Sequence, residues 1–171
     1  MGALERLAEL GLELPDVVPP LAAYQPAVRA GDVVWTSGQL PIRGGSLVTA
    51  GKVGDGVPDA GHDEGTPALV SPGDAAELAR LCALNALAAV ASQLRDGETL
   101  DDVRVVKVVG FVASDPSFTG QPAVVNGAST LLGEVLGDAG THARSAVGVA
   151  VLPLDAPVEV ELQALVARRD R

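Results

Sequence analysis

Near its C-terminus the chain runs His142-Ala143-Arg144-Ser145-Ala146-Val147-Gly148-Val149-Ala150-Val151-Leu152-Pro153, and then Val158-Glu159-Val160-Glu161-Leu162. No other stretch constrains the fold as tightly. Small and β-branched residues dominate both runs, which read as two strands joined by a Leu-Pro-containing turn. An arginine opens the first strand, and two glutamates on a shared face sit in the second. Charges at fixed register in apolar strands are costly unless something binds them. This is where a site is expected.

The elements upstream decide what those strands can join. Leu4, Leu7 and Leu10 recur at helical spacing within residues 3–12, and Pro15 closes that segment. We read residues 1–20 as an N-terminal helical appendage and residues 21–171 as one domain. Ala27-Val28-Arg29, a break at Gly31-Asp32 and Val33-Val34-Trp35-Thr36-Ser37 form a hairpin signal. Residues 43–72 are rich in Gly, Pro and Asp and read as one short strand plus a surface insertion, either mobile or a lid. Ser71-Pro72-Gly73-Asp74 is a helix start, with a Ser N-cap, Pro at N1 and an acid at N3. Leu78, Leu81, Leu84, Leu87 and Ala91 carry that helix to about Leu94. Val103–Ala113 reads as a strand and Pro122–Leu136 as a second helix, before the two closing strands. The pattern predicts an α+β fold, with helices covering one face of a largely antiparallel sheet.

Hydrophobic residues make up 47% of the 171, but aromatics only 2%. Val, Leu and Ala must therefore fill the core, which suits a small sheet on two helices sealed by self-association. The 22 acidic residues outnumber the 12 basic ones, for a net charge of −10. Broad contact with a phosphate backbone needs the opposite sign, so nucleic acid is not expected as a partner. Cys82 is the single cysteine, and His62 and His142 lack metal-type spacing. No metal site is expected. The N-terminus carries no signal-peptide run, and Gly, Pro or charge breaks every apolar run short of a membrane span. A cytoplasmic protein without membrane contact is the plain expectation.

Arg144 leads the candidates. Its face of the strand offers Ala146, Gly148 and Ala150, small enough to leave room over the guanidinium, whose planar fork suits a carboxylate. The alternative is a strand-end arginine paired with a structural acid. Glu159 or Glu161 can position a water or move a proton if partly buried, or can lie on a solvated face. Gly38, in Ser37-Gly38-Gln39-Leu40-Pro41, either lets backbone approach a ligand or makes a plain turn. Asn126 either reaches a site or satisfies a turn. Tyr24 packs with its hydroxyl in water. His142 can be considered as a base, but a histidine beside Gly140 and Thr141 is more often exposed. Cys82, among Leu81, Ala83 and Leu84, reads as a buried core thiol.

Tyr24, the Ser37–Pro41 strand end, Asn126, Ala143-Arg144-Ser145, Leu152-Pro153 and Val158-Glu159-Val160-Glu161 together resemble the RidA family, also called YjgF or reactive intermediate deaminases. The match covers roughly Tyr24 to Val166. The resemblance implies a chorismate-mutase-like fold assembled as a homotrimer, with ligand clefts between subunits. It implies hydrolysis of enamine and imine intermediates, such as 2-aminoacrylate, to 2-oxo acids and ammonia without a cofactor. Arg144 would hold the substrate carboxylate, and Glu159, which the arginine-to-glutamate spacing favours over Glu161, would position the water. Tyr24, Asn126, Gly38, Gln39 and Ala146 would line the cleft. The appendage, the insertion and Ala146, where deaminases commonly carry Cys or a small polar residue, resemble a longer branch of the family. The alternatives are a protein that binds small carboxylates without turnover, and an endoribonuclease or translation inhibitor.

Overall fold

The computed structural model describes residues 1–17, 23–55 and 69–167. Part of the expected appendage (18–20), the stretch 56–68 of the expected insertion and His62 lie outside these. The elements in chain order are α1 (Ala3–Glu9), β1 (Ala27–Ala30), β2 (Val33–Thr36), β3 (Ile42–Arg43), β4 (Ser46–Leu47), α2 (Pro72–Ala91), β5 (Val103–Ala113), α3 (Gln121–Leu136), β6 (Ala143–Val149) and β7 (Val158–Val166). Ser71 caps α2 as its sequence foretells, its hydroxyl accepting from Asp74 N at 3.1 Å. The segment after Pro41 holds a two-residue hairpin, β3–β4, where one short strand was expected.

One five-stranded sheet runs β1-β2-β7-β5-β6. All its pairs are antiparallel except β5–β6, which is parallel. This corrects the expectation for the C-terminus: β6 and β7 are not a hairpin, because β5 lies between them. The unit β5-α3-β6 is a crossover, which parallel neighbours require. The Leu152–Pro157 connection then carries the chain past β5 to β7.

Burial alternates along β7, with Val158, Val160, Leu162, Ala164 and Val166 fully or nearly buried and the residues between them more open. The buried parity faces α2 and α3, whose Leu87, Val90, Val124, Leu131 and Leu132 are fully buried in the same core. Helices thus cover one face of the sheet. A register shift between Val105 and Lys107 keeps Val105 and Val108 inward and turns Lys107 outward. Ala3 and Leu7 of α1 belong to this core too, and Asp101 Oδ1 accepts from Ala3 N at 2.7 Å. Among the described residues, no helix is long and apolar enough to cross a membrane.

Arg29 joins the β1–β2 hairpin to the segment after α2 through a two-armed pair with Glu98, Nη2 donating to Oε1 at 3.0 Å. Chiefly through these hydrogen bonds, Arg29 pulls the Glu98 carboxyl down to about 2. An unfolded glutamate titrates near ~4.3, so this pair stabilises the fold above that value and loses its contribution as pH falls toward 2. Glu98→Gln should therefore lower the thermal midpoint at pH 7. Measured in steps from about pH 4.3 to about pH 2, its gap from wild type should close.

Candidate functional site

Parity puts Arg144 on the helix side of the sheet. It shares a row with Val108 and Leu162, both buried under the helices. Because β6 is the edge strand, the half-buried side chain meets the first turns of α3. There Nη1 donates to Asn126 Oδ1 at 2.8 Å and Ser129 Oγ at 3.0 Å, and Nη2 donates to Pro122 O at 3.2 Å. These acceptors are all neutral. Among the described residues no carboxylate lies within ion-pair distance of Arg144, whereas Arg29 has two, Asp32 and Glu98, and Arg80 has Glu134. The alternative of an arginine paired with a structural acid is thereby set aside within those residues. A guanidinium has five N–H donors, and these bonds leave Nε–H and one Nη2 hydrogen for a ligand.

Ala146 lies on the same face as Arg144 and packs against the core. Asn126 and Ser129 are one turn apart on α3 and so share its Arg144-facing side. Ser129 was not singled out from the sequence, though its spacing from Asn126 was a usable signal.

Glu159 and Glu161 leave the sheet on the other face. Glu159 shares a row with Phe111 and Val147, and Glu161 with Val109 and Ser145. Both carboxyls are half-buried and raised above the ordinary glutamate value. Desolvation is the main cause for each, and Glu161 adds to it at Glu159. Charge therefore costs these groups more than it costs an exposed glutamate.

Gly38 stands directly against Glu159. A Cβ there would overlap the Glu159 carboxylate, so only glycine leaves that position open. Gln39 is buried, pairs with Val160 through two backbone hydrogen bonds, and donates from Nε2 to Ser37 O at 3.1 Å. Ser37 in turn donates to Gln25 O at 2.6 Å, tying down the segment that carries the part-exposed Tyr24. From α2, buried Asn85 donates to Leu40 O at 2.9 Å and Ile42 O at 3.0 Å. Asn85 is the residue that shapes this loop. Its clue was an amide in line with Leu78, Leu81 and Cys82 on the apolar side of α2.

The chain therefore carries two separate groups. Arg144, Asn126, Ser129 and Ala146 lie on the helix side at the sheet edge; Glu159 and Gly38 lie across β7 on the open side, with buried Gln39 following Gly38 in the chain and bridging Val160. Arg144 and Glu159 are not brought together within one chain. Two strand spacings separate their strands, about 10 Å, and they project oppositely. His142 is half-buried rather than exposed, with both ring nitrogens engaged. Cys82 is the buried core thiol expected, and burial pushes its pKa well up. Among the described residues, no cluster of three His, Cys, Asp or Glu side chains could hold a metal ion.

Comparison with known proteins agrees with this architecture. The family profile described as "YjgF/chorismate mutase-like, putative endoribonuclease" matches residues 4–166. Protein TCP17 of Trypanosoma cruzi is 41% identical over 157 residues, covering 91% of this chain and 88% of its own. The crystal structure of Atu1372 from Agrobacterium tumefaciens, a protein of unknown function, superposes with a TM-score of 0.80. It is 40% identical, and the match covers 96% of this chain and 92% of that one. Escherichia coli TdcF, solved with bound serine, superposes at 0.52 and 25% identity over 85% of this chain and 90% of its own. With the matching profile spanning nearly the whole chain, the protein belongs to the YjgF/chorismate-mutase-like family.

Proposed function

We propose that this protein hydrolyses reactive enamine and imine intermediates of the 2-aminoacrylate kind to 2-oxo acids and ammonia. The observation that carries this reading is the state of Arg144, held open by three neutral acceptors with donors to spare. A guanidinium held in this way is a ready socket for a small carboxylate. The serine bound to TdcF, a relative that shares the fold, is an amino acid with such a carboxylate.

The two groups of residues become one site in a homotrimer, each cleft taking Arg144, Asn126 and Ala146 from one subunit and Glu159, Gly38, Gln39 and Tyr24 from the next. The open sheet face supports such contact, because it exposes Trp35, Val147 and Leu165. Arg144 holds the carboxylate while the imine tautomer presents an electrophilic C2. Glu159 takes a proton from the attacking water, and the proton passes to the departing nitrogen. Collapse of the carbinolamine then releases ammonia and the 2-oxo acid. Orientation, water and one proton carrier suffice for this step. The reading places the protein in the cytoplasm, beside pyridoxal-phosphate enzymes that release such intermediates.

The test follows the decay of 2-aminoacrylate, generated by a dehydratase, with and without the protein. Acceleration at micromolar protein that disappears in Arg144→Ala is expected; no acceleration, or full activity in that variant, refutes the reading. A binding-only reading is favoured by Ala146, whose methyl brings no polar atom to the cleft. Pyruvate binding that needs Arg144, without deamination, would establish it. The endoribonuclease description of the family fits poorly with a −10 charge and two per cent aromatics.

Gly38→Ala separates binding from turnover. Its methyl must push the Glu159 carboxylate aside, and misplacing a catalytic group by an ångström costs on the order of 100-fold. We expect kcat to fall on that scale, while pyruvate affinity measured by calorimetry stays near wild type.

A further inference from the structure

The hydrogen bonds around Arg144 continue beyond it. Ser129 Oγ, which accepts from Arg144 Nη1, lies 2.9 Å from His142 Nε2, and His142 Nδ1 lies 2.6 Å from Gly140 O. With the imidazole neutral, the chemistry of the groups orders the protons along this line. A carbonyl can only accept, so Nδ1 carries the imidazole hydrogen. A guanidinium can only donate, so the Ser129 oxygen receives it. The Ser129 hydrogen then points at Nε2, which is free to accept only in neutral imidazole. The result is one directed chain from Arg144 Nη1 through the Ser129 hydroxyl and His142 to the Gly140 carbonyl.

We infer that Ser129 and His142 form a positioning relay for Arg144, and that His142 acts as an orienting acceptor rather than as a base. The relay rests on the reading of Arg144 as the carboxylate clamp. An arginine side chain has several soft torsions, and ordering it only when ligand arrives would weaken binding. Asn126 and Pro122 O hold one hydrogen each of Nη1 and Nη2, and Ser129 takes the second hydrogen of Nη1. The Ser129 hydroxyl fixes Nη1, and His142 fixes the hydroxyl. His142 is itself fixed because the turn at Gly137–Gly140 returns the chain alongside α3. The pair Asn126 and Ser129 on α3, with His142 two residues ahead of Arg144, thus forms a single device.

Calorimetry of the full chain with pyruvate tests the relay, with thermal midpoints recorded for every variant. Ser129→Ala and His142→Phe should weaken pyruvate binding about 10- to 150-fold, the scale of one hydrogen bond to a charged group. His142→Gln should restore it to within about twofold, because the glutamine carbonyl can take the place of Nε2 as acceptor. Nitrogen NMR of wild-type imidazole should show the Nδ1–H tautomer. Arg144→Ala that abolishes binding while Ser129→Ala and His142→Phe bind normally overturns the relay and leaves the clamp intact. Equal losses in His142→Gln and His142→Phe also overturn it, assigning the effect to packing. Should Arg144→Ala bind pyruvate as wild type does, the clamp fails and the relay with it.

Discussion

Subunits carrying Arg144→Ala and subunits carrying Glu159→Gln, each inactive alone, should regain about one-quarter of the wild-type rate when mixed one to one and allowed to exchange. Each cleft of the proposed ring takes Arg144 from one subunit and Glu159 from its neighbour. A cleft is intact only when the first subunit is the Glu159→Gln type and the second the Arg144→Ala type. Random assembly meets each condition half the time. Removing a charged anchor from a desolvated contact costs about 2–5 kcal/mol, so each parent should retain under about a thirtieth of the wild-type kcat/KM. Recovery to about a quarter stands well above that background. Absence of recovery, after subunit exchange has been shown by mass, would mean that the two groups do not share a cleft. Light scattering gives the same answer from another side, since a monomer leaves Arg144 and Glu159 on opposite faces of one sheet.

Arg144→Lys should fail almost as badly as Arg144→Ala. An ammonium carries three donors on one nitrogen. It cannot meet Asn126, Ser129 and Pro122 O and still offer two donors on a plane, as the guanidinium does. Charge alone would leave this variant active; the fork geometry predicts that it does not.

How far the chain could be read in advance depended on whether local chemistry or long-range pairing decided the outcome. The Ser71 cap, the break at Gly31-Asp32 and the inward row of α2 are settled within a few residues, and all three were legible. The pairing of β6 was not. Strands that follow one another across a short turn suggest a hairpin, yet β6 runs parallel to β5. The deciding signal was also present: a strand at Val103–Ala113, a helix at Gln121–Leu136 and a strand at Ala143–Val149 form a β-α-β unit. Alternation shows which residues share a face, but it does not say which face the helices cover. That is why Arg144 and Glu159 could be singled out as important but not assigned to opposite sides. Ser129 and Asn85 escaped notice because each acts through a partner distant in sequence, Arg144 in one case and the Leu40 and Ile42 carbonyls in the other.

Gly127→Ala should destabilise the protein by about 2–3 kcal/mol, although the same change in an isolated helix would favour folding by up to ~1 kcal/mol. The contact decides the sign. A Cβ on Gly127 would overlap Ala76 O of α2 and would stand 2.7 Å from Ala76 C and 3.2 Å from Ala76 Cα. These are all backbone atoms, so no rotamer change can relieve the clash, and α2 and α3 must part. Their separation would loosen a core in which Val124, Leu131 and Leu132 are fully buried. For a chain of this size the loss corresponds to a fall in thermal midpoint of roughly 4–12 °C. Gly133, also in α3, is the internal control, since a Cβ there meets nothing within 4 Å. Gly133→Ala should therefore raise the midpoint slightly, giving opposite signs for one substitution in one helix. Equal shifts in the two variants would show that the helix crossing tolerates a methyl. Gly127 also sits between Asn126 and Ser129, so the close approach of α3 to α2 sets where the acceptors of Arg144 stand. Parting the helices should move that cradle, and Gly127→Ala should lose pyruvate affinity even at temperatures where it remains folded.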